Sequence, residues 1–141
     1  MREILPYGKR YTYPHMSVAD TLIWERFIDK YPKIYKNVQY DYHIGDGPPF
    51  NPLMDDGEDL NQDMLYRLRI DAIGHEDGVI DIIEIKPKAS PATIGQVKSY
   101  RTLYQRDEEP QATVRAVIIT DKIQPNMEYL CKKEGIQLVL V

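Results

Sequence analysis

The hydrophobic pattern predicts an α/β fold, a parallel or mixed sheet flanked by helices. Three observations carry the prediction. The run Val79 to Lys86 is apolar on both faces: Val79, Ile83 and Ile85 alternate with Ile80 and Ile82. Such a run reads as a central strand buried on both sides. Just upstream, Leu65 to Ile73 reads as a second strand, joined to the first by Gly74–Gly78 (GHEDG), a polar turn that makes the two a hairpin. Downstream of Pro91, helical and strand patterns alternate, as they do when helices cover a sheet.

The elements follow in order. Residues Met1 to Pro14 interleave aromatic and basic side chains (Tyr7, Lys9, Arg10, Tyr11, Tyr13). That mixture can stack on bases and hold phosphates. It equally suits a terminal arm packed on its own domain or on a second subunit. Ser17 reads as a helix cap with Asp20 in the first turn, and the helix runs to about Lys30, before Pro32. Ala19, Ile23 and Phe27 mark its core side, widened by Trp24 and Ile28; Glu25 shares the other side with Val18, Leu22 and Asp29. Asn37 to Ile44 alternates as a strand with Val38, Tyr40, Tyr42 and Ile44 on one face, and Gly45–Pro49 breaks it. In the strand Leu65 to Ile73, Tyr66, Leu68, Ile70 and Ala72 share one face and Arg67, Arg69 and Asp71 the other.

The helix after Pro91 places Gln96, Val97, Tyr100, Leu103 and Tyr104 on one contiguous side. Gln96 and Tyr100 sit one turn apart and face inward together. Arg106 to Gln111 is a loop, Val114 to Thr120 a strand, Pro125 to Glu134 a short helix stopped by Gly135, and Ile136 to Val141 a last strand.

Length and composition bound the function. A chain of 141 residues is one domain with room for one core. There is one cysteine, Cys131, so no intrachain disulfide forms and a reducing cytoplasm fits. Cys131 reads as a packing residue. No apolar run is long enough to cross a membrane, and the start lacks the apolar core of a signal peptide. The formal net charge of −4 is unusual for a nucleic-acid binder. The excess acid is local, however, concentrated in Asn51 to Asp63 (NPLMDDGEDLNQD), which reads as a solvated loop without calcium-ligand spacing. His15, His43 and His75 are scattered along the chain. No serine elbow, phosphate-binding glycine loop or zinc cysteine pattern is present.

The candidate site lies in Arg69 to Tyr100. Glu84 and Lys86 end the buried strand on one face, since side chains repeat every second residue. The hairpin brings Asp71 near Glu84. A carboxylate in a buried strand is costly unless it is paired or holds a metal. A structural ion-pair cluster is the alternative for Asp71, Glu84 and Lys86; for Gln96 and Tyr100 it is a satisfied amide and a core phenol. Arg67 and Arg69 project with Asp71, where they can hold phosphate or pair with the acids, and Lys88 and Lys98 are further nucleic-acid-binding candidates.

The order Asp71, Glu84-Ile85-Lys86, Gln96 and Tyr100 resembles the PD-(D/E)XK nuclease superfamily. More narrowly it is similar to the RecB-like branch with a Q-x-x-x-Y helix. By motif the resemblance covers Leu65 to Tyr104, and by element order it reaches the C-terminus. One departure is Ile70 in place of the proline before Asp71. The resemblance implies a restriction-endonuclease-like core over residues 1–141, a mixed sheet with helices on both sides, with 1–14 as an N-terminal arm. It implies a magnesium-dependent deoxyribonuclease, with manganese able to substitute, acting on DNA in a phage, mobile-element or repair setting. Asp71, Glu84 and the Ile85 backbone carbonyl would hold the metal, joined by an acid of the first helix, for which Glu25 is the candidate. Lys86 would orient water or stabilise developing charge, and Gln96 and Tyr100 would position the site. Specificity would come from structure, from a partner subunit or from dimerisation, and a homodimer or a larger nucleoprotein or phage assembly is the expected partnership. The other functional class is a catalytically silent nuclease-like fold that binds nucleic acid or serves in assembly.

Overall fold

The computed structural model describes residues 3–46 and 68–141. Arg67 and the acidic segment Asn51 to Asp63 lie outside them, and the strand expected from Leu65 is described from Leu68 on. The strands are β1 (Leu5–Pro6), β2 (Asn37–Ile44), β3 (Leu68–Glu76), β4 (Val79–Ile85), β5 (Thr113–Thr120) and β6 (Ile136–Leu140). They form one six-stranded sheet in that spatial order. Pairing is antiparallel from β1 to β4 and parallel from β4 to β6, so the sheet is mixed. Among the described residues three helices cover it: α1 (Val18–Lys30), α2 (Pro91–Glu108) and α3 (Met127–Lys133). The α1 residues Ile23, Trp24, Phe27 and Ile28 pack on one face with Val38, Tyr40, Ile83 and Ile85. Residues of α2 and α3 pack on the other with Ile70, Ile82 and Ile118. This is the α/β architecture that the hydrophobic pattern predicts.

Helices α1 and α2 begin at the serines that the sequence offers as caps. At α1 the Ser17 hydroxyl accepts from the Asp20 N–H at 3.0 Å, and the Asp20 carboxylate accepts from the Ser17 N–H at 3.3 Å. At α2, Ser90 caps and Pro91 supplies a first residue with no N–H to satisfy. The core side of α1 is the expected one at Ile23, Trp24, Phe27 and Ile28, and departs from it at the first turn. Ala19 is exposed, and Asp20 is half-buried on the stripe of Trp24 and Phe27.

The N-terminal arm packs on its own domain. β1 pairs with β2, and the Tyr7 ring meets the edges of Trp24 and Tyr35 at 6.0 and 5.4 Å. Burial of its ring tip is completed by a hydrogen bond from the Tyr7 hydroxyl to the Tyr31 carbonyl at 2.7 Å. Tyr11 alone of these tyrosines is fully exposed.

Two strands depart from simple alternation, and the departure builds the site. Val38 and Tyr40 pack on the α1 side, whereas Tyr42 and Ile44 pack on the α2 side. The four do not share one face as the alternation predicts. Asp41 between them has a φ of 49°, and this left-handed residue turns the strand over. On β3, Ile70 and Ala72 also go to opposite cores. Tyr40 pairs with Ala72 and Tyr42 with Ile70, so Asp41 and Asp71 lie opposite each other at the kink. The β3–β4 ladder stops at Ala72–Ile83, immediately before Asp71.

The hairpin turn is shorter than GHEDG. Strand pairing continues to Glu76–Val79, leaving only Asp77 and Gly78 as the turn, with Gly78 at φ 71°. Gly74 is a strand residue with a different reason to be glycine. A Cβ there would lie 2.6 Å from Tyr35 ring carbons. Gly74→Ala is therefore expected to destabilise the fold by about 2 kcal/mol, as overpacking does, lowering the urea midpoint at unchanged slope.

Tyr35 is held there by a buried polar network. Its hydroxyl donates to Asp81 Oδ2 at 2.6 Å, and Arg115 grips the same carboxylate through Nε and Nη2 at 2.7 and 2.8 Å. Asp81 is 1% exposed. Asp81→Ala leaves the phenol unpaired and the guanidinium without its counter-charge. Because Arg115 reaches solvent, the expected loss is about 2 to 4 kcal/mol rather than the full cost of an orphaned buried charge. Urea titration of the variant against wild type measures it.

Candidate active site at the parting of two strands

The site forms where β3 separates from β4. The Ile85 N–H, which would otherwise continue the ladder, donates to Asp71 Oδ2 at 2.8 Å. The carboxylate thus replaces a backbone carbonyl and is held beside the end of β4. Glu84, one residue earlier on β4, is buried at 6% exposure on the α2 side of the sheet. Its Oε2 has no hydrogen-bond partner in the structure.

These two carboxylates disturb each other. Burial, then the neighbouring Asp71 charge, pushes Glu84 from an ordinary 4.5 up to about 9. Burial raises Asp71 from 3.8 to about 6, opposed by the Ile85 N–H and reinforced by Asp20. Lys86 follows at the exposed end of the strand, and its charge draws both carboxyls back down. Its own N–H donates to the Ile119 carbonyl at 3.0 Å, which anchors the lysine's backbone on β5. The charges of Asp71, Glu84 and Lys86 are therefore felt by one another at the end of β4.

On α2, Tyr100 is buried and Gln96 is exposed, so the pair does not face inward together. The Gln96 amide instead reaches back and donates to the Tyr100 hydroxyl at 2.8 Å. Burial, then the Glu84 charge, raises the Tyr100 phenol. The tyrosine side chain is thus the link between α2 and the carboxylates.

The other expected residues are distributed differently. Glu25 accepts from the Tyr13 hydroxyl at 3.1 Å, and the α1 acid whose field reaches both Asp71 and Glu84 is Asp20. Asp20 and Glu25 lie about 140° apart on the helical wheel, so one helix cannot aim both at the site. The i, i+4, i+7 spacing of Asp20 with Trp24 and Phe27 was the available sequence signal. Lys98 is ion-paired with Glu134 at 2.6 Å. Lys88 is exposed at φ 49° just beyond β4, its N–H donating to Asp121 at 2.9 Å. Arg69 is half-exposed and donates to His15. The histidines are not all scattered: His15 and His43 converge on Asp41, and His75 contacts Gln39 at 2.8 Å.

The donor set suits a hard divalent cation. Two carboxylates, one with an oxygen that is buried and unpartnered, influence each other at the end of β4. Among the described residues no group of three or more His, Cys, Asp or Glu side chains gathers around one point. Such a sparse oxygen set fits magnesium, which keeps several of its waters, rather than calcium or zinc.

The mixed sheet and the helices on both of its faces define an α/β fold. Solved structures share it. The chain superposes on a repair endonuclease from Pyrococcus abyssi with a TM-score of 0.51 at 18% identity over 95% of its length. EndoMS in complex with double-stranded DNA gives 0.50 at 17% identity over 95%. A protein of unknown function gives 0.51 at 12% identity over 80%. The chain spans about half the length of each: 49%, 48% and 52%. No family model matches the sequence, and no curated protein matches it significantly. No helix among the described residues is long and apolar enough to cross a membrane.

Proposed function

We propose that this domain is a magnesium-dependent deoxyribonuclease, with manganese able to substitute, that hydrolyses phosphodiester bonds. The observation that carries this reading is the Asp71–Glu84 pair, half-buried and buried in turn, whose carboxyls are both raised above their ordinary values beside Lys86 where β3 and β4 part. A protein that needed this position only for folding would gain by making it apolar. Asp71, Glu84 and the Ile85 carbonyl would hold the metal. A bound magnesium would neutralise charge on the phosphate and lower the pKa of a water nucleophile. Lys86, exposed beside the pair, would stabilise the negative charge that develops at phosphorus or orient the attacking water. Tyr100, held by Gln96, would fix the position of Glu84, while Arg69 and Lys88 would meet the DNA backbone.

Double-stranded DNA is the first substrate to test, because EndoMS, about half of which shares this fold, forms a complex with it. A repair setting is part of the proposal, supported by the likeness to the Pyrococcus abyssi repair endonuclease, with phage or mobile-element origin and a homodimer as further parts. The test is incubation of the protein with duplex, single-stranded and branched DNA, with magnesium and with chelator. Cleavage that requires the metal is expected. No cleavage of any of the three substrates would leave the chain as a nuclease-like binding or assembly protein.

A further inference from the structure

Asp41 sits in the middle of β2 at 2% exposure with a φ of 49°. A left-handed residue within a strand costs roughly 1–2 kcal/mol, and strain of this kind gathers at functional sites. Donors from three segments surround the carboxylate. His15 Nε2 lies 3.3 Å from Oδ2, His43 Nε2 3.6 Å from the same oxygen, and Arg69 Nη1 3.8 Å from Oδ1. Arg69 Nη1 is also 2.7 Å from His15 Nδ1.

That last contact settles the tautomer. A guanidinium N–H can only donate, so His15 Nδ1 accepts and the proton sits on Nε2, facing Asp41. The result is a relay of contacts, Asp41 to His15 to Arg69, in which a buried carboxylate fixes a guanidinium that is itself 40% exposed. His15 also has a left-handed backbone, at φ 57°, and its side chain is 57% exposed. Among the described residues the hydrogen bonding of Arg69 uses only Nη1, which leaves another edge of the fork open.

The cluster adjoins the carboxylate pair. Asp41 lies opposite Asp71 between the Tyr40–Ala72 and Tyr42–Ile70 pairs. Arg69 is two residues from Asp71 on β3, and His15 immediately precedes the start of α1, whose Asp20 raises both carboxyls.

We propose that Arg69 and His15 form a subsite for a DNA phosphodiester flanking the one at the carboxylate pair, and that Asp41 is the positioning residue that aims them. The substrate class rests on the nuclease reading; the subsite rests on the Asp41 geometry. Pre-ordering matters because a free arginine side chain loses rotamer entropy on binding, whereas one already fixed by His15 has lost it in folding.

Binding and cleavage are measured separately. Affinity for a short fluorescein-labelled duplex is followed by anisotropy in chelator, across roughly 50 to 200 mM salt. Arg69→Gln is expected to weaken binding about tenfold and to reduce the slope of log K against log salt by about 0.9, one phosphate contact. Arg69→Lys restores the slope but not the full affinity, since lysine keeps the charge and lacks the fork. Asp41→Gly removes the anchor while accepting the left-handed backbone without strain; it is expected to raise KM more than it lowers kcat, with the thermal midpoint confirming a folded protein. An unchanged slope in Arg69→Gln overturns the subsite, as does a folded Asp41→Gly with wild-type KM and affinity. If duplex cleavage persists in those cases, the nuclease reading stands without the subsite. An Arg69-dependent slope in a protein that cuts nothing supports the subsite and overturns the nuclease.

Discussion

Glu84→Ala is expected to lower the rate of magnesium-dependent DNA cleavage by at least about 10³, and Lys86→Ala by about 10² to 10³, the usual cost of removing one group that meets developing charge. The two losses should differ in kind. Glu84 is buried beside Asp71 and would be a metal ligand, so its removal weakens metal binding and partial activity returns as magnesium is raised. Lys86 is exposed at the strand end and would act on the reacting phosphate, so its loss lowers kcat at every metal concentration. Rates measured over a magnesium titration separate these outcomes. Wild-type rates in both variants would show that the acid–lysine cluster is structural. A third substitution, Tyr100→Phe, tests the positioning link: it keeps the ring in the core and should cost less than either.

The second large effect runs in the opposite direction, toward stability. Without metal, Glu84 and Asp71 are both raised above their ordinary values, to about 9 and about 6. A carboxyl whose folded pKa is raised binds its proton more tightly in the native state. The metal-free protein is therefore most stable below about pH 4 as far as this pair is concerned. Its stability then falls as pH rises through the folded values, by at most about 1.4 kcal/mol per pH unit for each proton released. Above about pH 9 the full penalty of two buried charges is present. Glu84→Gln removes most of it, so the variant should melt higher than wild type at pH 8 in chelator while having lost its activity. Magnesium should raise the wild-type melting temperature at that pH and leave the variant nearly unmoved. A wild-type protein whose stability is flat between pH 5 and 9 in chelator, or a less stable Glu84→Gln, would be incompatible with a strained carboxylate pair.

Much of this was legible in the chain. The doubly apolar run Val79 to Lys86 could only be a central strand, and once it is central, Glu84 is a buried acid in need of a partner. The capping residues Ser17 and Ser90 and the stop before Pro32 depend on neighbours within one helical turn, so α1 and α2 begin where the sequence places them. The turn at Gly74 to Gly78 was read too long because a glycine signals either a bend or a close approach, and the Tyr35 ring that Gly74 admits is far away in sequence.

By itself the sequence determined the α/β class and the order of helices and strands, because each depends on residue periodicity; it also singled out Asp71, Glu84 and Lys86, whose joint role the cleavage assays test. Only the tertiary structure decided that Asp20 rather than Glu25 points its charge at the pair, that Gln96 reaches Tyr100 from outside, and that His15, His43 and Arg69 gather on Asp41. The gathering on Asp41 turns on the reversal of β2 and β3 at Asp41 and Asp71, which a single left-handed residue sets without leaving a period in the sequence. Asp20 did leave one, its spacing with Trp24 and Phe27, but that spacing does not say what this side of α1 meets across the sheet.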